Sequence, residues 1–201
     1  MENLEASYRR MSRTLKIVLG FFLSGLAIGD VVINEIATTH VPRNLRWNEN
    51  DQAHAGSGPA WWSASFDDSR WQSGKLPMGY SLGSIATDLG SGLRSISPSF
   101  YVRKDFEVST SEAASSAPMV LEINYNDGFI AWINGVEVAR GNMGAVKAHI
   151  YHDQLSHRGS TLGTNSESIT LPIASELLIR GKNVIAVQVN NYTLTSNMRL
   201  E

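Results

Sequence analysis

Residues 126–142, NDGFIAWINGVEVARGN, contain two short apolar runs joined by Asn134-Gly135. This dipeptide suits the positive φ values of a type I′ turn and therefore predicts a β-hairpin. Side chains alternate across a strand, so Trp132 and Glu137 lie on the face opposite the apolar one. Trp132 is then either covered by a second layer or is a platform for a ligand. The expected pairs are Ile133–Val136, Trp132–Glu137, Ala131–Val138 and Ile130–Ala139.

Other parts of the chain repeat the period-two alternation of half-buried strands, with Gly, Asn and Ser between them. This pattern predicts an all-β fold, an antiparallel β-sandwich. The stretches concerned are VVINEIA, FYVRKDFEV, MVLEINY, ESITLPI and NVIAVQVNNY. ASELLIRG predicts a single turn or two of helix. Residues 73–99 and 141–168 show no regular pattern, and loops of that length are usually functional or poorly ordered.

Composition excludes several classes of function. The 201 residues are 42% hydrophobic and 18% charged, which is typical of a globular protein. The net charge of −2 and the lack of a long basic run give no indication of nucleic-acid binding. The chain has no cysteine, which excludes disulfides, zinc thiolates and cysteine nucleophiles.

The N-terminus predicts export. Basic residues precede the apolar run IVLGFFLSGLAIG, which is too short for a comfortable transmembrane helix of roughly 20 residues. We therefore expect residues 1–29 to form a signal helix cleaved after Gly29, with an uncleaved anchor as the alternative. Residues 30–60 then form an N-terminal strand and loop segment, and residues 61–201 the sandwich. The mature form would have no membrane span and would be secreted, on the cell surface or periplasmic.

Several motifs in order carry a family resemblance: FDDSRWQSGKLPMGY, FYVRKDFEV, NDGFIAWINGVEVARGNM and GKNVIAVQV. Together they resemble a galactose-binding-like jelly roll over roughly residues 61–200. Domains of this kind occur in secreted bacterial surface proteins and before the catalytic barrel of β-galactosidase-type glycoside hydrolases. The resemblance implies a module of a larger protein that binds a glycan or braces a neighbouring domain, and it names no sugar. Such modules are usually non-catalytic and require no cofactor.

Sugars bind to aromatic rings that are flanked by polar side chains. The candidate ligand-binding residues are accordingly Trp61, Trp62, Trp132, Glu137 and Arg140. For each tryptophan the alternative is a covered structural position, and for Trp132 we favour the covered position. In an extended Trp61-Trp62 pair, one ring would be core and the other more exposed. Arg140, like Arg103, would bond either loop carbonyls or a ligand.

Oxygen ligands for a structural calcium ion are offered by Asp67, Asp68 and Asp127, although turn-forming aspartate is the favoured interpretation. The histidines at 149, 152 and 157 lack the spacing of a zinc site. No catalytic motif is present, and we assign no catalytic residue. Three functions follow in order of preference: a carbohydrate-binding or accessory module, a structural or adhesion module without sugar affinity, and a small glycoside hydrolase.

Overall fold

The computed structural model describes residues 60–69, 71–148, 150–160 and 165–201, together with the backbone of three earlier strands. Of the predicted signal segment, it describes only the strand Leu15–Leu19, and the prediction of a signal helix stays a prediction. The rest of that segment lies outside the described residues, and cleavage after Gly29 stays a prediction. No helix in the described part of the chain is long and apolar enough to cross a membrane.

Thirteen strands and three one-turn helices make up the described structure. The strands are β1 (Leu15–Leu19), β2 (Asp30–Ile33), β3 (Glu35–Thr39), β4 (Gln72–Lys75), β5 (Met78–Tyr80), β6 (Thr87–Asp88), β7 (Ser99–Val108), β8 (Met119–Asn126), β9 (Gly128–Ile133), β10 (Val136–Gly141), β11 (Asn165–Leu171), β12 (Gly181–Asn190) and β13 (Met198–Leu200). The helices are α1 (Gly90–Leu93), α2 (Thr110–Ala113) and α3 (Ala174–Leu177).

The strands form two sheets, which confirms the predicted all-β sandwich. The first sheet has the order β2-β1-β8-β13-β5-β6, and β11 also pairs with β8. The second has the order β10-β9-β12-β7-β3-β4. Pairing is mostly antiparallel, and β1 with β2, β1 with β8, and β5 with β6 are parallel. Assignment to the galactose-binding-like jelly rolls stays a prediction.

The main core lies between the two sheets and contains the residues that alternation predicts. One side of β7, β8 and β12 supplies buried side chains to it: Phe100, Val102, Phe106, Val108, Met119, Leu121, Ile123, Tyr125, Ile185, Val187 and Val189. The hairpin adds Phe129, Ala131 and Ile133. The opposite side of the second sheet carries a separate apolar cluster, so this sheet is covered on both faces.

Two expectations about the strands were wrong. Residues 73–99 are not without pattern, since β5, β6 and α1 lie within them, but these elements are too short and too rich in Gly and Ser for a periodic signal. VVINEIA is not one strand. It divides into β2, which joins the first sheet, and β3, which joins the second.

The hairpin forms as predicted at its turn and departs from the prediction beyond it. Val136 pairs with Ile133 and Glu137 with Trp132, but Ala139 then pairs with Ala131 because a bulge follows Glu137. The extra residue reverses the alternation of side chains along β10. The bulge therefore brings Arg140 to the face that holds Glu137 and Trp132, where strict alternation would have put it on the other face.

Replacing Gly135 with valine is expected to lower the free energy of unfolding by about 1–3 kcal/mol. Asn134 and Gly135 have φ values of 50° and 91°, as a type I′ turn requires, and a β-branched residue is strained there. Its new Cβ would meet nothing closer than Ser63 Cα at 3.8 Å, so the cost comes from the backbone. Denaturant melts check this, with Gly135→Asn as the control because Asn tolerates positive φ. Equal melting of Gly135→Val and wild type would contradict it.

Candidate functional site

A cleft of about 400 Å³ opens on the outer face of the second sheet, within the range of roughly 300–1,000 Å³ typical of small-molecule sites. Strands β7, β9 and β12 form its floor. One wall is the segment 60–69, called here the tryptophan segment, and the other is formed by Lys147, Ala148, Ile150 and His152, in the long loop that follows β10. All five predicted ligand-binding residues line it: Trp61, Trp62, Trp132, Glu137 and Arg140. The structure thus brings them together, and their binding of a ligand stays a proposal.

Aromatic rings form one side of the cleft. Trp61 is buried and its ring contacts Tyr101 at 4.7 Å and Trp132 at 5.2 Å between centroids, both edge to face. Trp62 is only partly exposed, and it stacks on Trp132 at 5.4 Å with the ring planes 16° apart. Trp132 is 8% exposed, so the covered position favoured from the sequence is the observed one. Its cover is the tryptophan segment rather than the other sheet.

Arg103, on the outer face of β7, holds the tryptophan segment in place. Its side chain is 1% exposed, and Nε donates to Asp68 Oδ2 at 2.8 Å. Nη1 donates to the carbonyl oxygens of Trp61 and Ser63, the latter at 2.9 Å. The guanidinium also lies 5.3 Å from the centroid of the Phe66 ring. Of the two roles left open for Arg103, the structure shows bonding to loop carbonyls.

Arg140 and Glu137 hold the other wall. Arg140 donates from Nε and Nη2 to the two carboxylate oxygens of Glu137 at 2.7 and 2.8 Å. It also donates to the carbonyl oxygens of Met143 and Ala148, both at 3.1 Å, while Glu137 accepts from the backbone of Lys147. These bonds use most of the hydrogen-bonding capacity of the pair. The pair therefore fixes the long loop, and little of it remains for a ligand.

The polar groups of the floor escaped sequence reasoning. Gln188 lies on the outer face of β12 between Tyr101 and Ile130 of the neighbouring strands, and it is 3% exposed. His152 and Lys147 also line the cleft. Burial raises the pKa of Tyr101, so its hydroxyl stays protonated. Alternation placed Gln188 on the non-core face, but no local signal showed that distant segments would enclose it.

The proposed calcium ligands lie in well-satisfied positions. Asp67 accepts from Ser69 N at 3.0 Å, the turn-forming role, and Asp68 pairs with Arg103. Asp127 is 2% exposed and accepts from the backbone of Ser160 and Tyr192 at 2.7 and 2.8 Å. In the described ranges no three His, Asp or Glu side chains are grouped to hold a metal. Calcium binding stays a prediction on which nothing else depends.

Comparison with known proteins gives only distant structural matches. No family model and no curated protein matches the chain. Among solved structures, a β-glucuronidase of Bacteroides uniformis matches with a TM-score of 0.43 and 13% identity. A β-glucuronidase from glycoside hydrolase family 2 matches with a TM-score of 0.42 and 12% identity. A β-D-mannosidase of Dictyoglomus thermophilum matches with a TM-score of 0.37 and 12% identity.

These matches extend over most of this chain and over a small part of each enzyme. The three alignments cover 83%, 79% and 78% of this chain and 17%, 13% and 15% of the respective enzymes. TM-scores and identities this low carry no argument about function. The chain spans less than a fifth of the length of these three enzymes.

Proposed function

We propose that this chain is a carbohydrate-binding or accessory module of a larger secreted protein, and that the cleft on the second sheet receives a sugar ring. The observation that carries the proposal is the partly exposed Trp62, stacked on Trp132 at the mouth of a cleft with a polar floor. An aromatic face supports the apolar C–H face of a sugar. The carboxamide of Gln188, which lines the same cleft, can bond the hydroxyls.

The rigid mounting of both walls also supports a binding role. Arg103 fixes the tryptophan segment, and the Arg140–Glu137 pair fixes the long loop. A site that is held in its binding conformation loses less conformational entropy when its ligand binds. This is how a small cleft can reach useful affinity with few contacts.

Hydrolysis finds less support in the same cleft. A glycosidase needs two carboxyl groups roughly 5–10 Å apart across the scissile bond. Among the described residues that line the cleft, Glu137 is the one carboxylate, and it is paired with Arg140. We therefore propose binding without catalysis by this chain.

A structural or adhesion module without sugar affinity is the second candidate. The specific observation in its favour is the close packing of Trp61 on Trp132 and Tyr101, which by itself stabilises the tryptophan segment. In that case Trp62 would serve only to cover Trp132. The two candidates differ in what the removal of Trp62 does.

Trp62→Ala is expected to abolish glycan retention while lowering the free energy of unfolding by about 2–3 kcal/mol, from two aromatic contacts and the buried part of the ring. The measurement is a glycan array probed with the full chain, wild type beside variant, with denaturant melts of both. Tyr192→Ala is the control, since Tyr192 is 46% exposed and lies outside the cleft lining. Failure of the wild type to bind any glycan would favour the structural module.

A further inference from the structure

We infer that Gln188 is the ligand-contacting residue at the floor of the cleft, and that it recognises two adjacent hydroxyl groups of a sugar ring. This inference rests on the proposed function and assigns the polar half of the recognition. Gln188 stands on β12, in the middle of the second sheet, where the backbone is fixed by pairing on both sides. Its side chain is therefore on a rigid element rather than a loop.

The side chain of Gln188 is largely covered and makes one long hydrogen bond. The residue is 3% exposed, and Nε2 donates to the carbonyl oxygen of Tyr151 at 3.5 Å, the limit of a hydrogen bond. Among the described residues no hydrogen bond to Oε1 of Gln188 is found. A donor held by so long a bond can exchange it for a bond to a ligand at little cost.

The position of Gln188 in the sheet brings it to the cleft. It pairs with Tyr101 on β7 and Ile130 on β9, and Ile130 has no polar side-chain atom. Gln188, Tyr101 and Ile130 line the same cleft as Trp62. A ring stacked on Trp62 would therefore present its hydroxyls near the carboxamide of Gln188.

The chemistry of a carboxamide defines what it would bind. Nε2 donates and Oε1 accepts, side by side in one plane. Two neighbouring hydroxyls of a pyranose offer the matching acceptor and donor, so the ligand has a free vicinal diol. Glu137 and Arg140 are then positioning residues for the loop wall, since their bonds are directed to each other and to Met143 and Ala148.

Gln188→Leu provides the test, because it keeps the approximate shape and removes both polar atoms. The probes are the linear tetrasaccharides of glucose, mannose, galactose and xylose, titrated calorimetrically into the full chain. We expect the variant to bind the best of them at least about tenfold more weakly, the value of one or two hydrogen bonds. We also expect its melting temperature to stay near that of wild type, because the change removes a single long hydrogen bond.

The control is Gln154→Leu, the same change at a residue outside the cleft lining, which should bind as wild type does. Equal affinity of Gln188→Leu and wild type would overturn the inference while leaving the proposed function standing. A variant that melts well below wild type would overturn it too, since Gln188 would then be a structural residue. If the wild type binds none of the four probes and no glycan on the array, the proposed function fails, and this inference fails with it.

Discussion

Arg103→Met is expected to lower the free energy of unfolding by about 2–6 kcal/mol, because two carbonyl oxygens lose their donor. The guanidinium is 1% exposed, and its loss leaves the carbonyl oxygens of Trp61 and Ser63 without their donor. Each buried acceptor left unsatisfied costs roughly 1–3 kcal/mol. The side chain of Asp68 is 32% exposed, so water can solvate its carboxylate when Arg103 is absent. Asp68 therefore adds little to the loss of stability.

The same change should loosen the tryptophan segment and weaken the cleft, because Arg103 donates to the carbonyl oxygens of Trp61 and Ser63 and leaves mainly the packing of Trp61 on Trp132 and Tyr101 to hold the segment. Near-ultraviolet circular dichroism should show the loss of the Trp62–Trp132 stack. Arg103→Lys should rescue little, since an ammonium cannot reproduce the fork that bonds several oxygens at once. Arg180→Met is the matched control, since Arg180 is exposed and should tolerate the change within about 0.5 kcal/mol. Wild-type melting of Arg103→Met would contradict this assignment.

Trp132→Ala is the second large effect that we expect, with a loss of about 3–5 kcal/mol from the cavity that it opens. The ring is 8% exposed, with the Trp61 ring in edge contact and the Trp62 ring stacked on it. Glycan retention should fall as well, because Trp62 loses its support. Denaturant melts with Trp132→Phe as control measure this, since phenylalanine keeps part of the aromatic contact and should cost less.

A different outcome for Trp132 would reverse its role. If Trp132→Ala remains within about 1 kcal/mol of wild type and has lost glycan binding, the ring is a direct platform and not a covered support. If Trp132→Ala has the stability and the glycan binding of the wild type, Trp132 is not part of the site.

The sequence predicts the sandwich well where strands are long and half-buried. The alternation in β7, β8 and β12 identifies their inward residues, because one face of each strand packs into the core. Strands β4, β5 and β6 have four residues or fewer, which is too short for a period-two signal. The bulge after Glu137 could not be predicted from the sequence either, since VEVAR contains no Gly or Pro that would mark it.

The sequence indicates which residue types belong to the site, but it does not show that the fold brings those residues together. Trp61, Trp62 and Trp132 are conspicuous as aromatic residues, but 70 residues separate the first two from the third. Arg103 reaches partners 35–42 residues away in sequence, so no local pattern distinguishes a loop anchor from a ligand contact. Gln188 looks like an ordinary solvent-facing residue of a strand until the long loop and the tryptophan segment cover it.

The indole region of an NMR spectrum tests most directly whether the cleft is the sugar site. The five tryptophans give five indole N–H signals, which single Trp→Phe variants assign. On titration with the glycan that binds best on the array, we predict that the largest shifts occur at Trp62 and Trp132, together with the side-chain amide of Gln188. Shifts confined to residues outside the cleft, such as Tyr192 and Leu194, with all five indoles unmoved, would contradict the assignment.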